Sequence, residues 1–169
     1  LEVLRPDAIL DPLLDEAFAR WVQALPGFEA RKREPGYVQM RQIVQILELQ
    51  LGTSWRNAVR TLLGGGITFA AQPDGTAVLI VDSKDGEMLR RFHEIVLGWA
   101  RGEAEKQGDP SRVQSQEYGG VTGWTFGPEE AHAVIGSRLV IANRPSAIRT
   151  AIDLRASEDA PSLANAKGY

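Results

Sequence analysis

The sequence predicts an α+β fold, an antiparallel sheet of about five or six strands with helices packed on it. Three observations lead there. The run Leu62 to Asp85, LLGGGITFAAQPDGTAVLIVDSKD, reads without interruption as helix end, strand, tight turn, strand and helix start. Leu89, Phe92, Val96 and Trp99 follow a helical 3, 4, 3 spacing, and beyond Pro110 four short segments, the first polar, alternate with glycine-containing turns. The order is therefore helices, hairpin, long helix, meander, helix.

The first helix is expected at Asp11–Pro12, where a carboxylate can accept from free amides and proline loses no hydrogen bond. Leu14, Phe18, Trp21 and Leu25 would share its face, and Pro26 with Gly27 would end it. A second helix carries Met40, Ile43, Val44, Leu47 and Leu51 at helical spacing until Gly52. Thr53 or Ser54 can cap a third, with Trp55, Val59 and Leu62 on one face, closed by Gly64, Gly65 and Gly66 as a left-handed stop and a close strand approach.

Strands are expected over Ile67–Ala71 and Ala77–Val81, joined by a turn at Pro73, Asp74 and Gly75. Val78, Leu79, Ile80 and Val81 are all apolar, so the second strand needs cover on both faces. Helices must then lie on each side, or a partner covers one. Asp82, Ser83 or Asp85 can cap the long helix, which runs to about Lys106. Its spacing places Trp99 in the core, where truncation to Ala would cost about 3 to 5 kcal/mol.

The meander is read as Arg112–Tyr118, Val121–Phe126, Ala131–Ile135 and Arg138–Ala142, with the polar first segment at an edge and Leu139, Val140 and Ile141 buried on both faces. Asn143 and Pro145 start a last helix bearing Ile148, Ile152 and Leu154. The tail Ser157–Tyr169 holds a turn at Pro161 and Ser162 and a short helical start at Leu163–Ala166.

A chain of 169 residues buries roughly 70% of its unfolded surface, and 43% hydrophobic with 24% charged residues describes a globular protein. One domain, residues 1–169, is expected, with a helical part at 1–63, a sheet with its long helix at 64–156 and a truncated tail at 157–169. No apolar run approaches the ~20 residues of a bilayer span, so no transmembrane segment is expected. The formal charge of -3 offers no general attraction to phosphate backbones, and nucleic acid is not expected as a partner. The densest basic cluster, Arg31, Lys32 and Arg33, has no aromatic residue beside it to stack a base. The start at Leu1, without Met or a signal sequence, reads as a piece of a longer protein.

Candidate chemistry is sparse. The absence of Cys excludes disulfides, thiolate zinc clusters and thiol nucleophiles. The three glycines close a helix and open a strand, the reverse of a phosphate loop. His93 and His132 are the only histidines and lie on different elements, so a metal pair would need the long helix and a strand to bring both rings together. Ser54, Ser83, Ser111 and Ser146 sit at expected caps or turns and lack a G-x-S-x-G elbow. Asp82 with Asp85, and Glu129 with Glu130, are the nearest carboxylate pairs for a hydrolase of glycans or peptides. No catalytic, metal or cofactor residue is assigned, no cofactor is expected, and a non-enzyme is favoured. Trp124 and Phe126, two apart on one strand face, are core by preference and, where exposed, the candidate interaction surface.

The run LGTSWRNAVRTLLGGGITFAAQPDG, the strand end VLIVDSKD before a long helix, and RLVIANRPSAIRTAIDL leading to SLANAKGY resemble a bacterial family of exported or envelope-associated proteins of unknown function, over Leu51–Tyr169. The resemblance implies an extracytoplasmic, periplasmic or envelope location and a larger parent protein, and carries no catalytic residues. The expected function is a non-catalytic binding or assembly module of the cell envelope, its partner an envelope protein or itself in a homo-oligomer. A carboxylate hydrolase and a structural homo-oligomer are the alternatives.

Overall fold

The computed structural model describes residues 2–3, 6–24, 28, 32, 34–127 and 130–156. The stop at Pro26–Gly27, Arg31 and Arg33 of the basic cluster, Glu129, and the tail Ser157–Tyr169 lie outside the described residues. The elements are β1 (Glu2–Val3), α1 (Asp7–Leu14), α2 (Glu16–Gln23), α3 (Pro35–Leu51), α4 (Trp55–Leu63), β2 (Gly66–Ala71), β3 (Ala77–Asp82), α5 (Gly86–Lys106), β4 (Gln114–Tyr118), β5 (Val121–Gly127), β6 (Glu130–Ile135), β7 (Arg138–Ala142) and α6 (Pro145–Ala156). A 3₁₀ turn, Pro110–Arg112, joins α5 to β4.

The α+β class holds. All pairings are antiparallel, and the strand order is β1-β2-β3-β7-β6-β5-β4. Six strands match the expected hairpin and meander, and the two-residue β1 adds a short edge. The hairpin β2–β3 and the meander meet where β3 pairs with β7, Ile80 opposite Val140.

Residues alternate between the two faces of each strand. On one face Ala131, Ala133, Val140 and Ala142 are buried against Ile148 and Ile152 of α6, with Val78 and Ile80 beside them. On the other, Val81 is buried with Leu62 of α4 and Leu89 of α5. The two-sided cover expected of the apolar strands is therefore supplied from within the chain: α6 on one face, α4 and α5 on the other.

Several local expectations hold atom by atom. Ser54 Oγ accepts from the Asn57 N–H at 3.3 Å, and the Asp85 carboxylate accepts from the Glu87 and Met88 N–H groups at 2.8 and 3.0 Å. The hairpin turns at Gly75, whose φ is +82°. Asn143 locks that turn to β7, accepting from the Ala77 N–H and donating to the Gly75 carbonyl.

Three expectations are corrected. Gly64 is right-handed (φ -80°), and the left-handed stop belongs to Gly52 (φ +68°), which ends α3. The other half of that expectation, a close strand approach, holds at Gly65: a Cβ there would lie 2.5 Å from the Asp82 carbonyl oxygen, to which its own N–H bonds. The single helix from Asp11 is two, because α1 starts earlier, on the Pro6 carbonyl, and breaks at Asp15, whose ψ of 145° is extended. Trp99 is 40% exposed: of the expected stripe Leu89 is buried and Phe92 lines the apolar pocket with Val81 and Leu139, but farther along α5 it is His93, Leu97 and Ala104 that turn toward the sheet.

Two stability predictions follow from this packing. Leu89→Ala, at 1% exposure, costs about 2 to 5 kcal/mol in urea unfolding, whereas Trp99→Ala costs under about 1 kcal/mol. The reverse ranking would contradict the orientation of α5. Gly98→Ala, in a helix interior with open space at its Cβ, raises stability by up to about 1 kcal/mol, while Gly65→Ala lowers it.

Candidate functional site

Under α5 the sheet holds the densest set of aromatic and titratable groups among the described residues. The pattern that builds it is simple. Trp124 and Phe126 share one face of β5, Glu130 and His132 share one face of β6, and Trp124 pairs opposite His132. The register slips by one residue between Trp124 and Gly127, a bulge that brings Glu130 onto the Phe126 amide.

His132 is 5% exposed, and its Nδ1 lies 2.6 Å from Glu130 Oε1. His93 arrives from α5, its ring centroid 5.1 Å from that of His132 and 6.4 Å from that of Trp124. Phe126 closes the other side of His132 at 4.6 Å. Arg101, two turns along α5 from His93, lays its guanidinium 4.9 Å over Trp124. Trp124 and Phe126 are thus half-buried beneath α5, where Trp124 also walls a surface groove.

Burial first, and the neighbouring His132 ring second, lower the His93 pKa from its ordinary 6.5 to about 4. His93 is therefore neutral at pH 7, and its Nε2 is buried with no hydrogen-bond partner. The fold does bring the two histidines together, which spacing along the chain could not reveal. No group of three or more His, Asp or Glu among the described residues is placed to hold a metal ion. Glu130 orients the His132 ring in the manner of a base and its carboxylate. Among the described residues no hydroxyl is bonded to either ring, and the ring neighbours are aromatic.

The remaining candidate carboxylates have other partners. Asp82 pairs with Arg138, and Asp85 caps α5. The serines do local work: Ser54 caps α4, Ser83 Oγ has the Asp85 and Thr61 carbonyls within reach of its one O–H, at 2.8 and 3.1 Å, and Ser111 Oγ donates to Asp109.

A second feature escapes any search for chemistry. Among the described residues, Ile9, Leu13, Phe18 and Trp21 on α1 and α2, and Val38, Met40, Ile43, Ile46 and Leu49 on α3, are exposed large hydrophobics. Leu49 is 84% exposed and Trp21 59%. The helical spacing marked Phe18, Trp21, Met40 and Ile43 as core-facing. Of α3 only Leu51 is buried, and Leu47 lines an apolar pocket of about 230 Å³ shared with Trp55 and Leu89.

No family model, curated protein or solved structure matches the chain.

The buried histidine makes stability depend on pH. An unfolded His titrates near 6.5 and His93 in the fold near 4, so between these values the unfolded chain binds the extra proton. Stability contributed by neutral His93 is full above pH 6.5 and is lost as pH falls toward 4. Urea midpoints measured from pH 7 to 4 are expected to fall less steeply in His93→Gln than in the parent chain; parallel curves would contradict this assignment.

Proposed function

We propose that the protein is a non-catalytic binding or assembly module that docks through its N-terminal helices, α1 to α3, onto an apolar protein surface. The observation that carries this reading is the exposure of nine large apolar side chains on those three helices. Soluble monomers rarely leave contiguous apolar patches larger than a few hundred Å² uncovered, and such patches mark interaction sites. Burial of apolar surface is worth roughly 25 cal/mol per Å², so side chains of this size supply a substantial driving force for association.

The rest of the molecule is consistent with such a role. The sheet is covered on both faces by the chain's own helices, and the candidate catalytic carboxylates are engaged in an ion pair, a cap and a buried His contact. The envelope location belongs to the same proposal and rests on the family resemblance alone. Either an envelope protein or a second copy of the chain fits as partner, and solution mass distinguishes them.

Leu49→Lys and Trp21→Ser separate a docking face from internal packing. Both are expected to change stability by less than about 0.5 kcal/mol, since the side chains are exposed, and to reduce binding of an apolar-surface dye such as bis-ANS. A loss of several kcal/mol in either variant, or unchanged dye binding in both, would overturn the proposal. Light scattering across micromolar concentrations then reports whether the partner is a second copy: a strictly monomeric mass rules self-assembly out.

A further inference from the structure

We propose that the groove beside the Gly136 turn binds a small organic oxyanion, a phosphate ester or a carboxylate, between the guanidinium groups of Arg90 and Arg155. This site is separate from the docking face of α1 to α3, so either proposal can fail without the other.

The groove measures about 430 Å³ and lies between α5, the β5–β6 pair and the end of α6. Arg90 enters it from α5 and Arg155 from α6, one from each face of the sheet. Neither has an ion-pair, hydrogen-bond or ring partner among the described residues, which distinguishes them from most arginines here. Arg60, Arg91, Arg138 and Arg144 each hold a carboxylate, and Arg101 and Arg149 lie over aromatic rings. Two unpaired arginines lining one groove fit a planar or tetrahedral oxyanion, because each guanidinium presents several N–H donors in a fixed fork.

Local geometry keeps the approach open. Gly136 has a φ of +67°, and a Cβ there would lie 3.8 Å from Arg155 Nη2, so this guanidinium rests beside the bare Gly136 backbone. The one acidic lining group is Glu94, while Glu87, about two turns earlier on α5, is already paired with Arg91. Positive charge therefore exceeds negative in the groove. Leu97, Trp124 and Val134 give it an apolar wall for the body of the ligand, and the His93 ring borders it. An anion carrying a ring fits this lining better than a bare ion.

Isothermal titration of the full chain with phenyl phosphate, benzoate and inorganic phosphate tests the site. Saturable one-to-one binding of phenyl phosphate or benzoate is expected, and whichever binds more tightly identifies the group as phosphate or carboxylate. Arg90→Gln and Arg155→Gln should each weaken it by about tenfold or more, since a charge-assisted hydrogen bond is lost. Arg41→Gln, an arginine of α3 outside the groove, should leave it unchanged, and Glu94→Gln should tighten it. Both groove arginines are exposed, so the variants are expected to keep the parent's circular dichroism and midpoint. Absence of saturable binding by both organic anions at millimolar concentration, or equal binding by the parent and both arginine variants, would overturn the assignment.

Discussion

The pairing of β3 with β7 is the constraint on which the rest of the structure depends. Both strands are apolar on both faces, and an antiparallel pair of that kind cannot leave either side to water. Val78, Ile80, Val140 and Ala142 point one way and are covered by α6; Val81 and Leu139 point the other and meet α4 and α5. The hairpin and the meander are otherwise independent local motifs. Their junction makes one sheet of them, and polar contacts fix its register: Asn143 spans from β7 to the Gly75 turn, Arg144 reaches the Asp74 carbonyl and carboxylate, and Arg138 meets Asp82 at the other end.

Cover is uneven, and that unevenness organises the surface. Among the described residues, the sheet and its flanking helices leave only scattered large apolar side chains exposed, such as Trp55, Phe69, Trp99 and Leu154, whereas α1, α2 and α3 present nine outward. These helices are anchored at single buried leucines, Leu14 of α1 and Leu51 of α3, and by polar contacts: Arg60 of α4 pairs with Asp11 of α1, and Glu48 of α3 accepts from the Trp55 amide at the start of α4. An exposed ion pair of that sort contributes little to stability. The helices are thus positioned by the sheet yet left with apolar area to offer, while the charged groove at the Gly136 end faces another direction of chemistry altogether.

Much of the architecture from Leu51 to Ala156 was legible in the sequence, because there each element carries its own local signal. Asp85 as a cap, Gly75 in a turn and the two-faced apolar strands are each decided by chemistry within a few residues. Errors arose where tertiary orientation chose among local options. Trp99 sits at good helical spacing, yet the sheet meets the neighbouring stripe of Leu89, His93, Leu97 and Ala104. Pro12 reads locally as a first-turn residue, yet it lies inside α1, which starts earlier at Pro6. The candidate sites were least legible: His93 and His132, or Arg90 and Arg155, are brought together by strand pairing and helix placement that no spacing along the chain encodes. Only the period-two relations, Trp124 with Phe126 and Glu130 with His132, were open to a local reading.

Native-state hydrogen exchange measures the central claim most directly, because it reports coverage element by element. Amides in the middle of β3 and β7 are expected to exchange only through global unfolding, with protection equal to the full unfolding free energy. Amides of α1, α2 and the first turns of α3 are predicted to exchange through smaller openings in the isolated chain. Uniform protection across both groups, or exchange of the β3 and β7 amides through local opening, would contradict a sheet covered on both faces beside a helical layer left for a partner.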